Sequence, residues 1–278
     1  NKDIDGIQSP LTIENLVFAA CRGGWPSSLT RKSDKASLFI AKSYVDSICE
    51  HDASAVDGVA KDARKVKALL RSYARNIATS ASNTTILKDV HANHDDMAES
   101  TMYAYFDALS RIFVIDDIPA WSPSIRSKTS IRGKNKKLFI DPSIAVASLG
   151  LSPEALLQDF NTFGFLFENL CIRDLNVYSH ALGGSISYYR DRFGLEADAV
   201  LHLNDGAYAL IEFKLGSKDI ETAARHLLQL NALIIKHNQE NPSSRMRAPD
   251  LLIVMTGGTL AYTRKDGVKI IPIGCLKD

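Results

Sequence analysis

The amino-acid sequence predicts a mixed α/β fold, and three observations support this class. Segments 195–203 and 207–215 are rich in Val, Ile, Leu and Tyr and are separated by Asn-Asp-Gly, a strong turn signal between two strands. Segments 57–77 and 219–237 repeat apolar residues at helical spacing. The 278 residues are 45% hydrophobic, which is enough for about two domains with cores of their own.

The first half of the chain is predicted to be mostly helical. Residues 9–52 read as a helical connector, with Thr12 as a candidate N-cap. Three helices and then two short strands are predicted to follow, at 57–77, 84–91, 99–112, 113–115 and 137–140. This order, with a basic loop between the strands, is typical of a winged helix-turn-helix, in which residues 100–111 are the candidate recognition helix.

The loop between the two short strands concentrates positive charge. Six basic side chains precede the next acidic residue, Asp141: Arg126, Lys128, Arg132, Lys134, Lys136 and Lys137. Such a run is typical of contacts with nucleic-acid phosphates, and a solvated loop is the ordinary alternative. The predicted recognition helix offers Tyr103, Tyr105 and Arg111 but few side chains that read base edges. Contact with a nucleic-acid backbone, or with a protein, is therefore favoured over sequence reading.

Acidic and basic side chains also meet on the two predicted strands of the second half. Glu212 and Lys214 share a face, because side chains alternate along a strand. A two-residue turn would put Asp198 on the other face, opposite Phe213. A three-residue loop, Asn204-Asp205-Gly206, instead sets Asp198 opposite Glu212 and Glu196 opposite Lys214, and Gly206 supplies the left-handed residue that this loop needs. We predict the three-residue loop.

Two carboxylates and one ammonium group at one point suit metal-dependent phosphodiester chemistry. A solvated, salt-bridged sheet face is the alternative for the same residues. Glu168 bears on this choice, because it lies in an apolar helix predicted at 163–172, where an unpaired carboxylate is unfavourable. Gln229 lies on the leucine-rich helix after the second strand, either near the same point or as an exposed helix former.

Several short motifs follow one another in a specific order. They are Gly-x-Leu-x-Glu-Asn at 164–169, Tyr-Tyr-Arg-Asp at 188–191, Gly-Leu-Glu-Ala-Asp at 194–198, Ile-Glu-Phe-Lys at 211–214, Leu-Ile-Val-Met at 252–255 and Gly-Val-Lys-Ile-Ile-Pro at 267–272. This order resembles the C-terminal domain of unknown function in predicted bacterial and archaeal AAA+ ATPases, which is regarded as PD-(D/E)XK nuclease-like. Residues 23–26 and 44–48 resemble the segments that join the ATPase module to that domain, so the resemblance spans nearly the whole chain.

The resemblance implies a winged helix followed by a PD-(D/E)XK nuclease-like domain, whose mixed central sheet is flanked by helices. It implies that Asp198 and Glu212 bind Mg²⁺ or Mn²⁺ with the carbonyl of Phe213, and that Glu168 contributes directly or through water. Lys214 would orient the attacking water or stabilise the pentacovalent phosphate. Gln229 and Glu196 are accessory candidates.

We therefore expect three domains: a helical connector at 1–56, the winged helix-turn-helix at 57–145 and the nuclease-like domain at 146–278. No Gly-x-x-x-x-Gly-Lys-Ser/Thr phosphate loop occurs and the first residue is Asn1. We expect a C-terminal fragment whose missing ATPase module binds the ATP. The leading function is that of a nuclease-like module of this ATPase, for metal-dependent binding of nucleic acid or cleavage of its phosphodiester bonds. An inactive nuclease fold that acts as a DNA-binding or protein-interaction adaptor of the ATPase is the alternative.

Composition limits the remaining classes. A net charge of +1 gives no global signal for nucleic acid, so such binding must come from local patches. The four cysteines are widely spaced in apolar surroundings, which favours reduced thiols in a cytoplasmic protein over disulfides or zinc ligands. The sequence holds no apolar stretch long enough for a membrane span and no Gly-x-Ser-x-Gly elbow. Nucleic acid and the chain's own ATPase module are the expected partners, and an oligomer is left open.

Overall fold

A computed structural model of the protein describes residues 4–93, 96–121 and 133–276. Its fold is mixed α/β, as predicted, with 53% of the described residues helical and a six-stranded mixed sheet. The chain divides into two compact units that are interleaved in sequence. A helical unit comprises Glu14–Asp117 and Lys134–Leu170, and a sheet unit comprises Asn1–Ile13, Ile118–Gly133 and Cys171–Asp278. The predicted domains were consecutive, whereas the compact units are not.

The helical unit is built from short capped helices. Ser33, Asp62, Ser82, Asp141 and Ser152 each accept a backbone N–H of the following first turn, which satisfies a group that the helix itself leaves without a partner. The α-helices are Ile13–Arg22, Pro26–Leu29, Asp34–Ser47, Ala53–Ala55, Ala63–Arg75, Asn83–Ala92, Glu99–Arg111, Pro142–Leu149, Pro153–Gln158 and Phe160–His180, with a π-helical turn at Ile48–Asp52. The boundary between the units falls within the last of these α-helices.

Three predicted elements of the first half differ from the observed ones: the helix at 57–77 begins later, and the segments 113–115 and 137–140 are not strands. The helix predicted at 57–77 begins only at Ala63, because Asp62 caps it and Gly58 has a φ of +71°. Phe113 was predicted to start a strand but has a φ of +57°, a left-handed conformation at the end of the preceding helix. The extended segment begins after it, and Ile115 forms an isolated antiparallel bridge with Phe139.

The sheet unit has the strand order β1-β2-β3-β4-β6-β5. Its strands are Ser185–Arg190 (β1), Glu196–His202 (β2), Tyr208–Lys214 (β3), Leu251–Thr256 (β4), Tyr262–Thr263 (β5) and Lys269–Pro272 (β6). The first three strands are antiparallel neighbours, β3 runs parallel to β4, and β4 runs parallel to β6. The α-helix Ile220–Glu240, here called the crossover helix, joins β3 to β4. A parallel pair requires such a crossover.

The crossover helix packs on β2, β3 and β4 and encloses the core of the sheet unit. Apolar side chains of one sheet face meet apolar side chains of the helix there, including Val200, Leu210, Ala224 and Leu227. Because side chains alternate along a strand, Leu210 fixes which side chains of β3 point towards the helix. None of the described helices is long and apolar enough to span a bilayer.

Candidate functional site

The hairpin between β2 and β3 has the predicted three-residue loop. The backbone N–H of Leu203 donates to the carbonyl of Ala207 at 2.8 Å, and that of Gly206 donates to the carbonyl of Leu203 at 3.0 Å. Gly206 has a φ of +82°, the left-handed conformation that the loop needs. Asp205 Oδ1 accepts the backbone N–H of Ala207 at 2.8 Å and holds the turn. The three-residue loop is confirmed, and the paired residues from Ala199 to His202 follow the predicted register.

This register places Asp198 and Glu212 on the same face of the sheet. The paired residues run from His202 and Tyr208 to Ala199 and Ile211. Beyond that last pair, a side chain accepts the next hydrogen bond from β3: Asp198 Oδ2 accepts the backbone N–H of Phe213 at 2.9 Å. The hydrogen bond fixes this carboxylate against the third strand.

Lys214 contacts both carboxylates. Its Nζ lies 2.7 Å from Glu212 Oε2 and 3.8 Å from Asp198 Oδ2. The side chain of Glu212 is only 1% exposed, that of Asp198 is 11% exposed and that of Lys214 is 27% exposed. Two acids therefore face one ammonium group at the margin of the core. We call Asp198, Glu212 and Lys214 the acidic cluster.

The second oxygen of Glu212 is unusual. Oε1 is buried and has no hydrogen-bond partner among the described residues. Burial and the charge of Asp198 raise the pKa of Glu212 from its ordinary value of 4.5 to about 8, against the opposing effect of Lys214. A buried carboxylate oxygen without a donor is costly, so it marks a position where a ligand would be favoured.

His226 is the residue of this site that the sequence analysis missed. It lies on the crossover helix, and its Nδ1 is 3.5 Å from Glu212 Oε1. Gln229, the accessory candidate, lies three residues further along the same helix and is exposed. Residues three apart share a helix face, so the pattern that singled out Gln229 could also have singled out His226.

The carboxylate oxygens of the acidic cluster suit a divalent metal ion in their chemistry. The oxygen of Glu212 without a partner and the neighbouring carboxylate of Asp198 suit Mg²⁺ or Mn²⁺, which prefer oxygen ligands. Within the part of the chain that the structure describes, no three His, Cys, Asp or Glu side chains form a ready metal cluster. The residues thus offer two carboxylates as candidate ligands, and the other positions around an ion would fall to water, main-chain oxygen or substrate.

Glu168, a predicted metal ligand, belongs to the helical unit. Its Oε1 accepts a hydrogen bond from Lys136 Nζ at 2.5 Å, and the two side chains are 13% and 9% exposed. This ion pair explains how an apolar helix holds a carboxylate, which the sequence analysis had assigned to a metal or a cation. The cation is a lysine of the same unit.

The six basic residues that were predicted to contact phosphates have different environments. Lys136 pairs with Glu168, and Lys137 Nζ lies 2.8 Å from Asp117 Oδ2 with only 12% of its side chain exposed. Both ammonium groups therefore make contacts within the protein. Lys134 is exposed. Arg126, Lys128 and Arg132 lie outside the described residues.

The remaining candidates lie at the surface or in contacts of their own. Glu196 Oε2 is 3.7 Å from Arg190 Nε in an exposed pair on the neighbouring strand. On the predicted recognition helix, Tyr103 is 49% exposed. Tyr105 is buried, and its hydroxyl accepts the backbone N–H of Asp62 at 2.9 Å. Tyr105 is therefore a packing residue of the helical unit.

Comparison with known protein families gives two matches. Residues 13–155 match the family described as "Domain of unknown function (DUF8612)", and residues 163–276 match "Domain of unknown function (DUF4143)". The second of these domains is known from AAA-associated proteins. No curated protein and no solved structure shows significant similarity to the chain.

Proposed function

We propose that this chain, which belongs to the DUF8612 family, is a nuclease-like module that processes nucleic acid. Its metal-dependent site is the acidic cluster. The observation that carries this proposal is the buried Oε1 of Glu212, which has no donor among the described residues although Asp198 and Lys214 lie beside it. A purely structural cluster would satisfy that oxygen, because leaving it unpaired costs free energy.

The arrangement of strands supports a PD-(D/E)XK-type nuclease fold. An antiparallel hairpin carries Asp198 on β2 and Glu212 and Lys214 on β3, and the crossover helix leads to the parallel strand β4. The three helices Ala63–Arg75, Asn83–Ala92 and Glu99–Arg111, followed by the bridge between Ile115 and Phe139, support a winged helix in the first half.

Each residue of the cluster has a proposed chemical role. Asp198 is held by the backbone N–H of Phe213 and presents its carboxylate beside that of Glu212, so the two together would hold Mg²⁺ or Mn²⁺. The bound ion supplies charge neutralisation and lowers the pKa of a water molecule. Lys214 is the more exposed member of the cluster and presents its ammonium group to the phosphate or to the attacking water. His226 lies beside this carboxylate, with its Nδ1 3.5 Å from Glu212 Oε1.

The proposal extends to the larger assembly. DUF4143 is known from AAA-associated proteins, so we propose that this module works together with an ATPase that binds ATP. A second function has one observation in its favour: Lys214 contacts both carboxylates, as it would in a nuclease fold retained for binding alone. In that case the chain would be an adaptor that couples the ATPase to DNA or to a protein.

A cleavage assay separates the two functions. With Mg²⁺ or Mn²⁺ the protein is expected to nick or degrade single- or double-stranded DNA or RNA. Asp198→Ala and Lys214→Ala are each expected to lower the rate at least about a hundredfold, because loss of one charge-stabilising group costs several kcal/mol in the transition state. Glu196→Ala, which removes the exposed pair with Arg190, is the matched control on the same hairpin.

Circular dichroism shows whether each variant is folded. Intact substrates with every nucleic acid, in the presence of the ATPase partner and ATP, would assign the chain to the adaptor function. Equal cleavage by Asp198→Ala and wild type would remove the acidic cluster from the mechanism.

A further inference from the structure

The acidic cluster adjoins a pocket of about 640 Å³ in the sheet unit. One wall is the turn after β1, with Asp191, Phe193 and Leu195, and the other is the crossover helix, with His226, Gln229 and Lys236. His226 belongs to both places, because its Nδ1 lies 3.5 Å from Glu212 Oε1. The pocket is within the size range of small-molecule sites, about 300–1,000 Å³.

The turn after β1 is held in a defined shape. Asp191 Oδ1 accepts the backbone N–H groups of Phe193 and Leu195 at 2.8 and 2.9 Å. The backbone N–H of Asp191 donates to the carbonyl of Leu195 at 3.0 Å, and Gly194 has a φ of +85°. This turn fixes the position of the side chain that it presents.

That side chain is Phe193, which is 80% exposed and has the largest exposed fraction among the described large hydrophobic residues. The Arg192 guanidinium carbon lies 4.7 Å from the centroid of its ring. An aromatic ring held at the surface beside a guanidinium group is typical of sites where nucleobases stack and phosphates are contacted.

The opposite wall offers complementary groups. His226, Gln229, Leu233 and Lys236 are spaced at three or four residues and therefore share one face of the crossover helix. The amide of Gln229 can donate to and accept from the edge of a base. Leu233 offers apolar surface, and the ammonium group of Lys236 suits a phosphate. Asp191 adds a negative charge, but its Oδ1 is engaged by two backbone N–H groups.

We infer that this pocket binds an unstacked nucleobase of a single-stranded nucleic acid, with Phe193 as the stacking platform. The inference rests on the proposed function and deepens it: the substrate class becomes single-stranded, or a strand with a base turned out of its duplex. A base paired and stacked within a duplex cannot cover the face of Phe193, whereas a single strand can.

Fluorescence anisotropy without added metal tests the pocket independently of catalysis. The probes are a labelled oligo-dT of about 12 nucleotides, the same length of abasic strand and a duplex of equal length. Wild type is expected to bind oligo-dT about tenfold more tightly than the abasic strand, which has the same phosphates but no bases. Phe193→Ala and Phe193→Leu are expected to lose this preference, and Phe193→Trp is expected to keep it.

Phe39→Ala is the matched control, because Phe39 is also an exposed phenylalanine, at 60%, but lies in the helical unit. Equal binding of oligo-dT and the abasic strand by wild type would overturn the inference, and so would an unchanged preference in Phe193→Ala. A pocket that takes a peptide side chain instead would give the first of these results. The assay contains no metal and measures no cleavage. The preference for bases would therefore persist even if the acidic cluster were inactive, and failure of the proposed function can be told apart from failure of this inference.

Discussion

Two carboxylates that are largely shielded from solvent, Asp117 in the helical unit and Glu212 in the sheet unit, have similar neighbours and different hydrogen bonding. Each lies beside a lysine and a second acid. Both oxygens of Asp117 are engaged: Oδ2 binds Lys137 Nζ at 2.8 Å, and Oδ1 accepts the backbone N–H of Leu138 at 3.2 Å and the Tyr73 hydroxyl. In Glu212, Oε2 binds a lysine at 2.7 Å and Oε1 has no donor among the described residues.

The difference indicates what each group contributes. A buried carboxylate whose oxygens are all bonded stabilises its unit and has no capacity for a ligand. The charge of Asp117 acts on its neighbours: together with burial, it raises the pKa of both Tyr73 and Asp116. Glu212 has the opposite character, since its raised pKa and its free oxygen reduce stability in the absence of a ligand. Asp117 thus acts as a structural residue, whereas Glu212 has the character that the proposed metal site requires.

The largest expected effect is on Asp117. Asp117→Ala leaves Lys137, Tyr73 and the backbone of Leu138 without their common acceptor, and we expect a loss of about 3 kcal/mol in the free energy of unfolding. Urea denaturation measures it. The double variant Asp117→Ala with Lys137→Met is expected to recover part of the loss, because no buried charge then remains unpaired. A loss below about 0.5 kcal/mol in the single variant would place Asp117 among ordinary surface residues.

Substitution of Glu212 is expected to raise the free energy of unfolding, whereas substitution of Asp117 lowers it. The pKa of Glu212 is about 8 in the folded protein and 4.5 ordinarily, so the folded state keeps a proton that the unfolded state releases between those values. Stability of the metal-free protein therefore falls as the pH rises from about 4.5 to 8, by at most about 1.4 kcal/mol per pH unit. Glu212→Gln removes this dependence, so its advantage in stability over wild type is expected to grow as the pH rises across this range.

Urea denaturation of wild type and Glu212→Gln at several pH values between 5 and 9 measures this effect, with Glu240→Gln as the exposed control. If the free energy of unfolding depended on pH in the same way in wild type and Glu212→Gln, the charge on Glu212 would not destabilise the folded protein. The comparison with Asp117 would then fail.

The smallest expected effect on stability belongs to Lys134. Its neighbours Lys136 and Lys137 are engaged in ion pairs, whereas Lys134 is exposed. Lys134→Ala is expected to change the free energy of unfolding by less than about 0.5 kcal/mol. It is also expected to make the log-log salt dependence of DNA binding shallower by about 0.9, the value for one phosphate contact. Lys35→Ala, on the helix Asp34–Ser47, is the control, and an identical slope in both variants would assign Lys134 to solubility.

The sequence predicted the local geometry of the site well, for physical reasons. Turn chemistry at Asn204-Asp205-Gly206 fixed the register, and alternation along the strands then brought Asp198 and Glu212 to one face. These features depend on residues close together in the chain, so a single sequence contains the information.

The rest depended on contacts between distant residues. Nothing near Lys136 indicates that Glu168, 32 positions away, neutralises it, and the whole run of basic residues was therefore predicted to contact phosphates. His226 escaped notice because its position beside Glu212 follows from how the crossover helix packs on the sheet. The interleaving of the two compact units likewise has no local signal.

Direct binding of Mn²⁺ tests the central claim, that Asp198 and Glu212 form a metal site. Isothermal titration of Mn²⁺ into the protein at about pH 8, where the Glu212 carboxyl is losing its proton, is expected to show one ion per chain. Asp198→Asn and Glu212→Gln are expected to abolish binding while remaining folded, and Asp117→Asn is expected to keep it. Absence of binding by wild type, or equal binding by Asp198→Asn and Glu212→Gln, would contradict the account and leave the acidic cluster as an ion pair with no ligand.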